Sequence, residues 1–119
     1  MAFKRADRMG EVIKRDISLI LLNEIEDPQM GFLTITKVKM SDDLRIARIY
    51  YSILGGEKEK KNTQESLERT KGFVRRTLGK RLRIRYVPEL IFRFDDSLEY
   101  GSRIESLINE LKESGDSGE

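Results

Sequence analysis

The sequence predicts an α+β domain in which helices pack on one face of a three-stranded sheet. Apolar residues recur at helical spacing over residues 7–25 and again from Leu67 onward. Three other segments instead alternate with the period of a strand. The chain has 119 residues, enough for one hydrophobic core but not for two, and no linker or internal repeat divides it.

Residues 7–25 predict the first helix, with Met9, Val12, Ile13, Ile17, Ile20, Leu21 and Ile25 on one face. Asp7 is the expected N-cap, and Pro28 should stop the helix by restricting its predecessor to extended geometry. Gly31 opens a first strand in which Leu33 and Ile35 share one phase and Val38 and Met40 the other. That slip predicts a bulge or a strand covered on both sides. Ser41-Asp42-Asp43 supplies turn chemistry, and Ala47, Ile49, Tyr51 and Ile53 alternate through a second strand that Gly55-Gly56 ends. The pair reads as an antiparallel hairpin. Glu57 to Lys61 reads as a charged loop, with Asn62 capping the next helix and Glu65 supporting it.

Leu67, Val74, Leu78 and Leu82 mark the stripe of that helix. A straight rod would turn Phe73 about 120° away from Leu67, and Gly72 costs about 1 kcal/mol relative to alanine inside a helix. A break at Thr70-Lys71-Gly72 would relieve both, so two helices are expected here. The third strand is placed at 89–95, with Pro88 at its start or at a bulge. Asp96 and Ser97 introduce a C-terminal helix carrying Ile104, Leu107, Ile108 and Leu111. Residues 1–112 thus form one expected domain, followed by a disordered tail over 113–119.

Charge is distributed unevenly along the chain. Residues 1–88 carry 20 cations and 12 acids, whereas residues 89–119 carry 3 cations and 9 acids. Within the basic part, eight cations lie between residues 69 and 88 without one acid: Arg69, Lys71, Arg75, Arg76, Lys80, Arg81, Arg83 and Arg85. Solvated surfaces ordinarily intersperse the two signs, so a segment this one-sided predicts a polyanion partner. The candidate RNA-binding set is these eight together with Gly72, whose backbone N–H groups at a helix start would favour a phosphate. Lys4, Arg5 and Arg8 are possible additional contacts. Replacing Arg75, Arg76, Lys80 and Arg81 with glutamine is expected to weaken RNA binding and leave the fold intact.

The inventory speaks against catalysis. There is no cysteine and no histidine, which removes thiolate chemistry, the commonest general base and the commonest metal ligand. Asp95 and Asp96 are adjacent, point apart, and read as a strand end and a cap. No phosphate-binding Gly-x-x-x-x-Gly-Lys-Ser/Thr loop occurs. No enzyme activity, cofactor or metal is expected. The absence of a signal-like N-terminus or a membrane-length apolar run predicts a cytoplasmic protein.

Ordered along the chain are Glu26-Asp27-Pro28-Gln29-Met30-Gly31, Thr34-Ile35-Thr36-Lys37-Val38, Ser41-Asp42-Asp43-Leu44 and Ala47-Arg48-Ile49-Tyr50-Tyr51-Ser52. They continue with Gly72-Phe73-Val74-Arg75, Leu82-Arg83-Ile84-Arg85, Pro88-Glu89-Leu90 and Asp95-x-Ser97. In this order and spacing the sequence resembles the bacterial ribosome-binding factor A family over residues 5–112. The resemblance implies a type II KH-like fold, α-β-β-α-α-β, with an interhelical kink in place of the usual Gly-x-x-Gly loop. The family's kink is written Ala-x-Gly, and Thr70-Lys71-Gly72 occupies that position here. The resemblance further implies a monomeric maturation factor that binds the free small (30S) ribosomal subunit through 16S rRNA. Two rival readings are a generic KH-like binder of single-stranded RNA and a protein-interaction module with an acidic partner.

Overall fold

A computed structural model of the chain describes residues 4–97. Helix α1 spans Arg5–Asn23 and buries Ala6, Gly10, Ile13, Asp16, Ile17, Ile20 and Leu21 along one side. It begins two residues earlier than the pattern predicts. Asp7 therefore sits inside the first turn, where its charge meets the positive end of the helix dipole, and is not the N-cap. Pro28 falls in the turn beyond the helix, which Met30 N–H closes on the Asp27 carbonyl at 2.9 Å.

Strand β1, Leu33–Met40, pairs antiparallel with β2, Ile46–Ile53. The predicted slip is a bulge at Thr36, where the register shifts between Ile35 and Lys37. One extra residue returns Val38 and Met40 to the face that Leu33 and Ile35 occupy, so all four meet the core. The intervening turn is held by its short side chains. Ser41 Oγ donates to Asp43 Oδ1 at 2.6 Å, and Asp43 Oδ1 also accepts from Arg45 N–H at 3.1 Å. Leu44 takes the left-handed conformation there, with φ 62°.

Helix α2 is continuous over Glu57–Leu82, about 39 Å long at 1.5 Å per residue. Its start lies earlier than the sequence pattern predicts. The charged run from Glu57 is helix and not loop, and Asn62 lies inside it. Gly55, at φ 137°, turns the chain, and the Glu59 carboxylate accepts the Gly56 N–H at 2.9 Å. Acids at Glu57 and Glu59 favour a helix start here.

The helix runs through Thr70-Lys71-Gly72 without the expected break. Thr63, Leu67, Val74 and Leu78 are buried, with Thr70 and Leu82 half-buried, and together they form one stripe that needs no change of phase. Phe73 does not join them. It stays 41% exposed at the surface, beside Glu24 to Pro28, so the demand for burial that motivated a break does not arise. Thr70 Oγ1 donates to the Ser66 carbonyl at 2.8 Å, satisfying its hydroxyl within the helix. An added Cβ on Gly72 would meet only the far end of the Arg76 side chain, at 3.4 Å. Gly72→Ala is therefore expected to raise stability by about 1 kcal/mol in denaturant unfolding, through helix propensity. A loss of stability would show that the backbone breaks there.

Strand β3, Glu89–Phe94, pairs parallel with β2, giving the sheet order β1-β2-β3. A parallel pair needs a long crossover, and α2 supplies it. Pro88, buried, stands just before the strand, where its missing N–H removes no ladder bond. Tyr51 on the central strand is the largest fully buried side chain and meets Phe94 edge to face at 5.9 Å. The order α-β-β-α-β matches the type II KH-like arrangement, with one helix where two were expected. The expected C-terminal helix over Ile104 to Leu111 and the tail over 113–119 lie outside the described residues.

Asp95 fastens the end of β3 to the bulge. Its carboxylate accepts Thr36 Oγ1 at 2.6 Å and Ser97 N–H at 3.0 Å. The Ser97 hydroxyl, then Thr36 and the Ser97 N–H, hold its pKa down at about 2. The unfolded value is about 3.9, so this group's contribution is complete above about pH 4 and is lost as pH falls through about 2. Solvent screening keeps the contribution below about 1 kcal/mol. Asp95→Asn should flatten the acid limb of the stability profile in that window, as measured by unfolding at stepped pH.

Candidate nucleic-acid interface

The second half of α2 and the segment leading to β3 carry all the cations singled out between 69 and 85, but these residues do different work. Arg69 reaches back to the α1–β1 connection. Its Nη2 lies 3.0 Å from Asp27 Oδ2 and 2.6 Å from Gln29 Oε1. Gln29 N–H and the Arg69 guanidinium hold the Asp27 carboxyl below its ordinary range. Thr63 Oγ1 accepts Gly31 N–H at 3.1 Å, so two turns of α2 grip the Asp27-Pro28-Gln29-Met30-Gly31 motif.

Arg75 is equally committed to the fold. Its Nε and Nη2 donate to the carbonyls of Pro88 and Val87, at 3.1 and 2.9 Å. The guanidinium fork satisfies two acceptors just where proline interrupts the backbone donors. Arg81 Nη2 lies 3.5 Å from Asp16 Oδ1, whose side chain is only 9% exposed on α1. Lys71 pairs with Glu68 one turn earlier, at 3.2 Å. Arg69, Arg75 and Arg81, placed in the candidate RNA set by charge alone, are thus occupied in holding the domain together. Gly72 is also corrected in one respect: it begins no helix, so it presents no N-terminal amides to a phosphate.

Four cations remain. Arg76 and Lys80 are exposed one turn apart on the same side of α2, and Arg83 follows as its C-cap, left-handed at φ 51°. Arg85 lies 5.5 Å over the ring of Tyr86, which is 77% exposed. None of the four forms an ion pair among the described residues. Lys80 gains from the negative end of the helix dipole, which extends over the last turn. Arg76 lies beyond that turn and adds like-charge repulsion toward Lys80. Among the described residues the set is a local positive field with no acid paired to it.

The geometry also places the N-terminal cations. Asp16 of α1 meets Arg81 of α2, and Asp27 beyond α1 meets Arg69, so the helices run antiparallel. Lys4, Arg5 and Arg8, all exposed, consequently lie toward the end of the molecule that carries Lys80, Arg83 and Arg85. The sequence reading passed over a further group, Lys37, Lys39, Arg48 and Arg93. These are scattered along the chain, but the strand register gathers them on the side of the sheet away from the helices. Their alternation with Val38, Ile49 and Phe92 was the available signal.

No helix among the described residues is long and apolar enough to cross a membrane, and none of their acidic side chains cluster in threes as a metal site would need. A profile of the family Ribosome-binding factor A matches residues 5–108. The Ribosome-binding factor A of Halothermothrix orenii is 46% identical over 117 residues, covering 98% of this chain and 96% of that protein. The solution NMR structure of a Thermotoga maritima protein is 34% identical, with a TM-score of 0.67, over 78% of this chain and 90% of the other. Another similar fold, at 22% identity and a TM-score of 0.64, is a homology model of the Thermus thermophilus ribosome binding factor A fitted into a cryo-electron microscopy map of a 30S complex. It covers 80% of this chain and 97% of that one.

Proposed function

The chain belongs to the ribosome-binding factor A family, and we propose on that premise that it binds the free small ribosomal subunit through 16S rRNA and assists its late maturation. The observation that carries the RNA contact is the unneutralised set Arg76, Lys80, Arg83 and Arg85 at the C-terminal end of α2. Lys4, Arg5 and Arg8 extend it at the same end. Lys71 joins when its exposed pairing with Glu68 is exchanged for a phosphate, since such a pair contributes under about 1 kcal/mol. The 30S complex of the related Thermus thermophilus protein supports the choice of subunit.

The mechanism is binding without bond chemistry. Arginine forks and lysine charges engage phosphate oxygens and release counterions, which supplies most of the affinity. Folded RNA is read by its shape, because the deep groove of an A-form helix hides base edges from side chains. A protein that binds one assembly state of the subunit better than another shifts the population toward it and leaves when that difference vanishes. The factor works as a monomer in the bacterial cytoplasm, where subunits are assembled. Co-sedimentation tests this reading. Enrichment on free small subunits over mature ribosomes is expected, whereas equal retention on any single-stranded RNA would make the protein a generic binder.

A further inference from the structure

The side of the sheet turned away from the helices carries a second concentration of charge. Alternation sends Ala47, Ile49 and Tyr51 of β2 into the core, and Arg48 and Tyr50 to the opposite side. The register fixes their neighbours. Lys37 of β1 and Arg93 of β3 flank Tyr50, while Lys39 of β1 stands directly opposite Arg48. Two adjacent rungs thus bring four cations together around one tyrosine, with Lys37 Nζ 4.6 Å from the centre of its ring.

Beyond the contact of Lys37 with the Tyr50 ring, the fold gains little from this arrangement. Like charges directly opposite on antiparallel strands are destabilising, which is the relation of Lys39 to Arg48. None of the four forms an ion pair among the described residues. The nearby Asp95 feels Lys37 through space, but its oxygens are occupied by Thr36 and Ser97. Glu89 shares this side of the sheet, one rung beyond Arg48, opposite Ile46. Lys37, Lys39 and Arg93 are exposed and Arg48 is half-buried. Thr34 and Ser52, paired across the next strand positions, add hydroxyl donors to the same side.

A sheet surface with four cations, two hydroxyls and, among the described residues, no paired acid is complementary to a phosphate backbone. We infer that this outer sheet surface is a second RNA-contact site, on which Lys37, Lys39, Arg48 and Arg93 hold phosphates of the same rRNA-rich partner. This inference rests on the proposed function, and it places contacts on two sides of the domain. The site lies across the sheet from α2, so the two can be removed separately.

The test compares Lys39→Gln/Arg93→Gln with Arg76→Gln/Lys80→Gln in the full chain, titrating each against purified free small subunits at several salt concentrations. The sheet variant should lose about tenfold in affinity at ~0.1 M salt, and its salt slope should become shallower by about 1.5. Its unfolding temperature should be unchanged or higher, because relieving the Lys39–Arg48 repulsion cannot harm the fold. A benzophenone side chain introduced at Lys39 should form an adduct that ribonuclease digests. Wild-type affinity in the sheet variant, with weakened binding in the α2 variant, would overturn the inference and leave the proposed function standing. An adduct digested by protease and not by ribonuclease would assign this surface to a protein partner and overturn it too. Loss of binding in the sheet variant alone would support the inference and count against the α2 surface.

Discussion

Replacing Arg76, Lys80, Arg83 and Arg85 together with glutamine is expected to lower affinity for the free small subunit by about 100-fold or more at ~0.1 M salt. Each phosphate contact contributes about 0.7–0.9 to the salt slope, so the slope should become shallower by about 3. The four residues are chosen because none of them forms an ion pair among the described residues, and unfolding by denaturant should be unchanged within about 0.5 kcal/mol. Arg75 and Arg81 behave differently, contrary to the reading from charge alone. Arg75 holds the Val87 and Pro88 carbonyls, and Arg81 faces the buried Asp16. Glutamine at either position should weaken binding and stability together. Subunit binding by the fourfold variant equal to that of the unaltered chain would remove this surface from the account.

Gly10→Ala is expected to destabilise the domain by about 2 kcal/mol, lowering the unfolding temperature by roughly 10 °C. Gly10 is buried where α1 crosses β1, and a Cβ there would lie 2.8 Å from the Val38 carbonyl oxygen. The obstacle is backbone, so helix and strand must move apart as units, opening contacts along the whole α1–β1 seam. Alanine's better helix propensity offsets about 1 kcal/mol of that cost. Denaturant unfolding measures the net effect, and a variant as stable as the parent would mean that α1 packs farther from the sheet. Gly79 is a milder case. An added Cβ would meet the Val87 side chain at 2.6 Å, and a side chain can turn aside more readily than a strand.

The elements whose pattern is set by burial on one face were legible in the sequence. The α1 stripe, the β2 alternation and the β1 bulge each follow from which residues must meet Tyr51 and Ile49 in the core. The start of α2 was not, because Glu57 to Lys61 has no apolar member, and acids near a helix N-terminus read locally like any charged loop. The break at Gly72 is expected from the helix-propensity cost of the glycine and from the assumption that Phe73 must be buried. The structure leaves Phe73 at the surface, and the stripe from Thr63 to Leu82 remains whole.

The candidate site was legible as a charge excess but not as a division of labour. Whether a cation is free depends on what the fold places beside it. Asp27 is 42 residues from Arg69 along the chain, and the Val87 carbonyl is 12 from Arg75. Such partners appear only once α1, α2 and β3 are packed. The same packing concentrates Lys37, Lys39, Arg48 and Arg93, which no linear window would group. A run of like charges thus resolves into structural clamps near Asp27, Asp16 and Pro88, and a free remainder at the end of α2.

The most direct test of the central claim, that unneutralised cations grip rRNA phosphates, is the affinity of the unaltered chain for purified free small subunits between about 50 and 200 mM salt. Phosphate neutralisation by these cations should make the logarithm of affinity fall linearly against the logarithm of salt, with a slope of about −3 or steeper. An affinity that does not change across that range would contradict it.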